Sequence, residues 1–203
     1  RRGRWCVVLL LSGCLLFAWA RFVEPQRIRV QETVLTGTGA QARLVLISDI
    51  HLGVYKDSAY LDRLVKRINK LRADAVVIAG DLTYEPGEQS LERMFAPLAD
   101  LNIPVYAVLG NHDQQAPGPD IDVELRAALA AHQVDVIEGR SVALGGFRLA
   151  GLGDRWANKD DAGFLSAMPS PAPTIVLTHN PDSAIDLDPS FATLVLAGHT
   201  HGG

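Results

Sequence analysis

Cysteine is nearly absent. The 203 residues hold only Cys6 and Cys14, and both fall in one N-terminal apolar run. Everything after that run is free of thiols, which excludes a disulfide framework there and a structural zinc held by thiolates. The redox compartment is therefore unreadable from cysteine usage. A basic excess is also missing: the formal net charge is −4. No stable nucleic-acid binding is expected, because such binders present a basic face. Phosphate-bearing substrates stay open, since bound cations reverse a local field. No second long apolar run, internal repeat or low-complexity segment occurs. Hydrophobic residues make up 48% and charged residues 21%, which fits one substantial core and excludes a disordered or multispan membrane chain. The chain opens on Arg1 rather than methionine and ends Thr200-His201-Gly202-Gly203, so both ends read as cuts in a longer chain, the C-terminal one immediately after a motif.

What is present begins with Arg1, Arg2 and Arg4 ahead of Trp5–Ala20, sixteen residues without a charge. At ~1.5 Å per residue that helix measures about 24 Å, short of a ~30 Å hydrocarbon core. With Arg21 snorkelling, it runs to Val23 and just spans. Residues 1–23 read as a signal-anchor or a signal peptide, with Ala18-Trp19-Ala20 as a small-x-small cleavage site. Arg1-Arg2 has twin-arginine form, and Leu11-Ser12-Gly13-Cys14 has lipobox form, although the apolar Leu15-Leu16-Phe17 is unusual after a lipobox cysteine. A buried core helix fits the basic flank and uniform apolarity less well. The expectation is membrane association with the domain that follows extracytoplasmic, and secretion after cleavage is the alternative. Arg21, Arg27 and Arg29 blunt the charge asymmetry that sets orientation. Residues 24–42, with Pro25, an alternating stretch at Arg27–Leu35 and Gly37-Thr38-Gly39, read as a linker and first strand.

The domain, residues 43–203, opens on Leu44–Gly53, an apolar run ending Ser48-Asp49-Ile50-His51, which suits a buried strand. Asp49 and His51 are two residues apart, so in extended chain they share a face and can hold a metal together. A helix is predicted over Ser58–Arg72, with Leu61, Leu64, Val65, Ile68 and Leu71 on one stripe. The run Ala75–Ala79 ends in Gly80-Asp81. A second helix carries Leu91, Met94, Phe95, Leu98 and Leu101. Val105–Leu109 ends in Gly110-Asn111-His112-Asp113, Pro117–Pro119 form a loop, and Ile121, Leu125, Ala128, Leu129 and His132 mark a third helix. Short strands follow at Val134–Ile137, Ser141–Leu144 and Phe147–Gly151, the last two forming a hairpin around Gly145-Gly146. After a polar loop, Asp154–Asp161, Thr174–Thr178 runs into His179-Asn180-Pro181. Thr193–Ala197 runs into Gly198-His199-Thr200-His201. Strand–helix alternation followed by short strands predicts an α/β layered domain with two sheets.

Five apolar strands thus end in polar clusters: Asp49/His51, Asp81, Asn111/His112, His179 and His199/His201. Five of the six histidines sit there, which scattered core histidines would not do. In open α/β sheets ligands bind beyond the carboxyl ends of strands, so the clusters should meet. Carboxylate, imidazole and amide without thiolate suit manganese, iron or zinc. There are too many ligands for one ion with an open position, but two ions sharing a carboxylate would use them all.

The ordered set Asp49-x-His51, Gly80-Asp81, Gly110-Asn111-His112-Asp113, His179 and Gly198-His199-Thr200-His201 resembles the calcineurin-like metallophosphoesterase superfamily. The match runs from about Leu44 to the end. The anchor and the Gly-His-Thr-His-Gly-Gly ending are similar to its membrane-associated bacterial phosphodiesterase branch, which includes exported enzymes and a UDP-diacylglucosamine pyrophosphatase. The resemblance implies two mixed sheets sandwiched and flanked by helices, with further strands normally following Gly203. It implies two divalent metal ions: Asp49, His51 and His201 on the first, Asn111, His179 and His199 on the second, and Asp81 bridging. It also implies that His112 contacts the phosphate or protonates the leaving group, with Asp113 orienting it.

The expected function is hydrolysis of a phosphodiester or pyrophosphate bond by metal-activated hydroxide near a membrane, on a substrate that is lipid- or nucleotide-linked. Two cations ~3.5–4 Å apart would acidify water and neutralise the phosphate. Arg140 and Arg155 are candidates for a second phosphate or a head group. The alternatives are a phosphomonoesterase and a catalytically silent metal-binding module. The seven ligands argue against the silent module.

Overall fold

The computed structural model describes residues 2–114, 120–167 and 172–201. The loop expected at Pro117–Pro119 and the final Gly202-Gly203 lie outside them. The chain divides into two compact units, Arg1–Val34 and Leu35–Gly203.

In the first unit, helix α1 (Arg2–Ala18) continues through a π-helical segment, Trp19–Val23, into a 3-10 turn at Glu24–Gln26. The apolar helical stretch Arg4–Gln26 has 23 residues, long and apolar enough to cross a membrane, and its most apolar window is wholly unburied. That exposure argues against a core helix. At ~1.5 Å per residue the stretch measures about 34 Å, so the short span expected from Trp5–Ala20 is made up by the turns that follow. Among the described residues, the first strand expected within 24–42 is not formed: the alternating side chains at Arg27–Leu35 are almost all exposed, and no described strand pairs with that backbone.

The second unit begins at β1 (Leu44–Ile47), followed by β2 (Leu52–Gly53), α2 (Ser58–Ile68), β3 (Ala75–Ala79), β4 (Thr83–Tyr84), α3 (Leu91–Phe95), β5 (Val105–Val108), α4 (Asn111–Gln114), α5 (Asp122–Ala131) and β6 (Val134–Val136). Strands β1-β3-β5-β6 form a wholly parallel sheet in that order. Every residue of β3 is buried, as its unbroken apolar run requires of a strand covered on both faces. By contrast β1 is only half-buried, with Leu46 42% exposed, because it is the sheet's edge.

Helix α2 starts where the Asp57 carboxylate accepts the Tyr60 N–H at 2.9 Å, and it buries Leu61, Leu64, Val65 and Ile68. It stops at Ile68, short of Arg72, since the Leu71 N–H turns back to the Ile68 carbonyl and Arg72 is left-handed. The second helix is broken similarly: α3 ends at Phe95 and Ala96–Asp100 is 3-10, because Pro97 has no N–H to continue the α ladder. His132 hydrogen-bonds the Glu92 carbonyl at 2.7 Å, a structural tie from α5 to α3.

The chain then adds β7 (Arg140–Leu144), β8 (Phe147–Gly151), α6 (Gly163–Ser166), β9 (Thr174–Leu177) and β10 (Leu194–Leu196). Their sheet has the order β10-β9-β8-β7 and is mixed: the β7–β8 hairpin is antiparallel and the other pairs parallel. The two-sheet α/β expectation therefore holds, with only this second sheet mixed. Val77, Ala79 and Val108 of the first sheet pack with Phe147, Leu149, Ile175 and Leu177 of the second, so one core cluster lies between the sheets. Leu152, Leu165, Val176 and Leu187 cover the second sheet's other face.

Candidate metal centre

Register brings the polar strand ends level. Ile47 pairs with Ile78, Ala79 with Val108, and Leu177 with both Gly151 and Leu196, so the parallel strands release their next residues at one edge. The loops after β1 and β3 stay zipped together there. The Asp49, His51 and Leu52 N–H groups donate to the Gly80, Asp81 and Leu82 carbonyls at 3.0, 3.1 and 2.9 Å. Among the described residues, five of the nine non-glycine residues with positive φ are Asp49, His51, Asp81, His199 and His201. Each left-handed residue costs of order 1–3 kcal/mol, and such strain gathers where function requires it. Two glycines make the approach possible. A Cβ on Gly80 would stand 2.5 Å from His179 Nδ1, and one on Gly110 would stand 2.1 Å from Asp81 Oδ1.

The expected ligands fall into two groups around Asp81. In one, His51 Nε2 lies 3.3 Å from His201 Nε2, 3.8 Å from Asp81 Oδ2 and 3.9 Å from Asp49 Oδ1, with His201 Nε2 3.4 Å from Asp49 Oδ1. In the other, His179 Nε2 lies 3.1 Å from Asn111 Oδ1, 3.1 Å from His199 Nδ1 and 3.3 Å from Asp81 Oδ1. The Ala79 carbonyl accepts from His179 Nδ1 at 2.8 Å, which leaves Nε2 as the atom facing inward, a lone pair once its proton is displaced. Asp49 also receives the His199 N–H on Oδ2 at 3.0 Å, tying the ends of β1 and β10.

These residues fit cations. Asp49 Oδ1 is buried without a hydrogen-bond partner among the described residues. Facing imidazole nitrogens little more than 3 Å apart need a positive centre or a proton between their lone pairs. The carboxylate–imidazole–amide donor set suits borderline divalent metals. The pKa directions agree. Burial alone would lower His179, but the Asp81 carboxylate outweighs it and raises His179 to about 9. Burial works to raise Asp81, yet the bonds from His179 and the His112 N–H hold it below its ordinary value. Burial lowers His51.

His112 stands beside the Asp81 carboxylate. Its Nε2 is 3.8 Å from Asp81 Oδ2, its N–H donates to Asp81 Oδ1 at 3.0 Å, and its ring packs on His51 and Tyr84. His51, Asp81 and His112 also form a third grouping tight enough for an ion.

Asp113 does not orient His112, which corrects the expectation. Its fully buried carboxylate accepts four bonds, from the N–H groups of Leu82, Thr83 and Gly110 at 3.0, 2.9 and 3.0 Å and from Thr83 Oγ1 at 2.7 Å. His112 Nδ1 has no partner among the described residues. Burial and then the nearby Asp81 charge push Asp113 up to about 6. Nor are the two arginines free for a phosphate. Arg140 is held by Asp135 and the Val136 carbonyl, and Arg155 by Asp160 and Asp186.

Sequence reasoning missed three residues. Asp154 follows β8 as Gly151-Leu152-Gly153-Asp154, the same pattern of apolar run, glycine and acid that marked Asp81. Its buried carboxylate lies within the electrostatic reach of His179 and Asp81. Trp156 sets its ring edge-to-face with His199 at 4.7 Å, and Tyr84 reaches His51 and His112 across the short β2–β4 pair. Only an aromatic residue standing in a polar loop could have flagged Trp156.

The layered fold and this edge of carboxylates and imidazoles define a metallophosphoesterase class. The chain belongs to the calcineurin-like phosphoesterase family, which it matches over residues 42–203. An uncharacterized metallophosphoesterase of Campylobacter jejuni is 31% identical over 97% of this chain and 54% of its own length. The UDP-2,3-diacylglucosamine pyrophosphatase LpxG of Chlamydia trachomatis is 25% identical over 96% of this chain and 75% of that protein. The phosphodiesterase YaeI of Escherichia coli is 26% identical over 92% and 72%. The chain thus spans about half the length of the Campylobacter relative and about three quarters of the other two.

Proposed function

We propose that this chain is a dinuclear metal-dependent hydrolase of a phosphodiester or pyrophosphate bond, held at a membrane by residues 1–23, with 24–42 as linker and 43–203 as the catalytic domain. The observation that carries the dinuclear reading is Asp81: one of its oxygens faces His179 at 3.3 Å, the other faces His51 at 3.8 Å. A single carboxylate so placed belongs to both ligand groups. Asp49, His51 and His201 would hold one ion, Asn111, His179 and His199 the other. The names of the Chlamydia and Escherichia relatives support the bond type.

When bound, two divalent cations supply positive charge against the phosphate oxygens and make water acidic enough to attack near neutral pH. The chain's own residues do the rest. Paired carbonyls at Gly80 and Asp81 fix the loops that aim Asp49 and His51, and the Ala79 carbonyl fixes the His179 tautomer. His112, beside Asp81 and partly exposed, donates a proton to the departing oxygen. An unburied apolar helix preceding the domain supports membrane attachment.

The test is metal analysis with rates on bis-p-nitrophenyl phosphate and p-nitrophenyl phosphate after loading with manganese, iron or zinc. Two ions per chain and preference for the diester are expected, and Asp81→Asn should lower both metal content and turnover. A monoester preference would make the protein a phosphomonoesterase. Two tightly held ions with normal turnover in Asp81→Asn would sink the shared-carboxylate assignment.

A further inference from the structure

The ligand cluster is flanked by aromatic rings. At the His112 end, Tyr84 lies 4.8 Å from His112 and 5.7 Å from His51, and Tyr55, half-exposed, packs on Tyr84 at 5.1 Å. At the other end Trp156 meets His199 at 4.7 Å with an interplanar angle of 81°, and the indole is 60% exposed. Ring contacts and ligand contacts link, neighbour to neighbour, Tyr84, His51, Asp81, His179, His199 and Trp156.

An indole this exposed is ordinarily left free to move, but this one stands on a braced turn. Asp154 accepts the Ala157 N–H at 2.9 Å, and the Lys159 N–H donates to the Asp154 carbonyl at 2.9 Å. The neighbouring Arg155 is paired with Asp160 at 3.2 Å and with Asp186 at 2.7 Å, and Lys159 is paired with Asp122 at 2.6 Å. A braced, largely exposed aromatic beside reactive residues binds with little ordering cost. The engaged Arg155 makes the turn poorly suited to a second phosphate, and an aromatic face stacks flat rings without regard to their charge.

We propose that Trp156 is a specificity-determining residue that stacks a planar ring, a nucleobase or an aryl group, carried on the ester arm that stays with phosphorus. The inference rests on the phosphodiesterase reading. His112, which protonates the departing oxygen, sits at the Tyr84 end, so the retained arm extends toward Trp156. The favoured substrate class is then a nucleoside or aryl phosphodiester rather than a simple alkyl one.

Three diesters with the same leaving group test this on the full chain loaded with manganese: thymidine 5′-(p-nitrophenyl) phosphate, methyl p-nitrophenyl phosphate and hexyl p-nitrophenyl phosphate. Trp156→Ala should lower kcat/KM on the thymidine ester about 5- to 150-fold, the range lost with one base–aromatic stack, mainly through KM. The loss on the methyl ester should stay below about twofold, and Trp156→Phe should restore most of it. A binding arm needs no turnover: thymidine 5′-monophosphate should quench tryptophan emission in the native chain and not in Trp156→Phe, whose remaining tryptophans are Trp5 and Trp19. Equal losses on thymidine and methyl esters would make Trp156 merely structural. A hexyl loss matching the thymidine loss would make the face a general apolar contact. No loss on any ester, or no quenching, would also overturn the proposal. A native chain inactive on all three esters would sink the phosphodiesterase reading while the quenching arm still judged Trp156. An active native chain with an indifferent Trp156→Ala would sink this inference alone.

Discussion

His112 meets the Asp81 carboxylate twice, through its ring and through its backbone N–H. On the proposed assignment, which places three other residues beside Asp81 for each ion, that position fits a proton donor better than a terminal ligand. His112→Ala should lower kcat by ~10²–10⁴, the usual worth of an acid–base group, with two ions still bound. The loss should shrink for p-nitrophenolate, which leaves without protonation. Loss of an ion from the variant would instead make His112 a ligand, as the His51, Asp81, His112 grouping allows. His179 gives a second expectation at this scale. Raised to about 9 beside Asp81, it carries a proton at pH 7 in the metal-free chain. A cation must displace that proton, so binding releases it and apparent affinity climbs with pH until about 9, then levels. Calorimetric titration of manganese in buffers of different ionisation enthalpy measures the release. Zero protons at pH 7 would contradict it.

Between elements, the site depends on how loops are tied to each other. Asp113, in the first turn of α4, binds the loop that links β3 to β4 and the turn that ends β5, so one carboxylate aligns Asp81 with Asn111. In Asp113→Ala four donors lose their partner in a buried place. At about 1–3 kcal/mol for each that stays unsatisfied, a loss of roughly 3–6 kcal/mol is expected once some relax. Thermal unfolding should show a clear drop in Tm and weaker metal retention. The residual activity should keep the native dependence on leaving group, which separates a brace from a proton donor. Glu138 ties the same region from behind, accepting the Leu109 N–H at 2.7 Å while paired with Arg126 of α5. A Cβ at position 80 would test the β3 turn itself. Gly80→Ala must displace the His179 imidazole or the Gly110 backbone and also hold a positive φ, so metal binding should fail at the second group first.

For the molecule as a whole, the division into an unburied apolar helical unit and an α/β unit predicts where the protein resides. The full chain should sediment with membranes and resist high-salt washing, whereas a chain beginning at Gln26 should remain in the supernatant with its metal content intact. Cleavage after Ala20 would instead yield a soluble product beginning at Arg21, which N-terminal sequencing detects. Hydrophobic attachment, not surface charge, is the physical content of this prediction. A chain released by salt alone would refute it.

The sequence by itself determined the strand ends. An apolar run needs no partner to be recognised, and its chain-terminal Asp, Asn or His announces which residues leave the sheet edge, so Asp49, His51, Asp81, Asn111, His179, His199 and His201 were all legible. Helix stripes were legible for the same local reason, though their ends were not: Pro97 and the left-handed Arg72 close them through backbone geometry. Only the tertiary structure decided what each neighbour of those strand-end residues does. Asp113 follows His112 directly, yet it reaches Leu82 and Thr83, about thirty residues away, because burial drives a carboxylate to whatever donors the packed loops present. Which oxygen of Asp81 faces which histidine, and which exposed ring stands over His199, depend on strand register and loop crossing. Those are long-range contacts, and no local pattern encodes them.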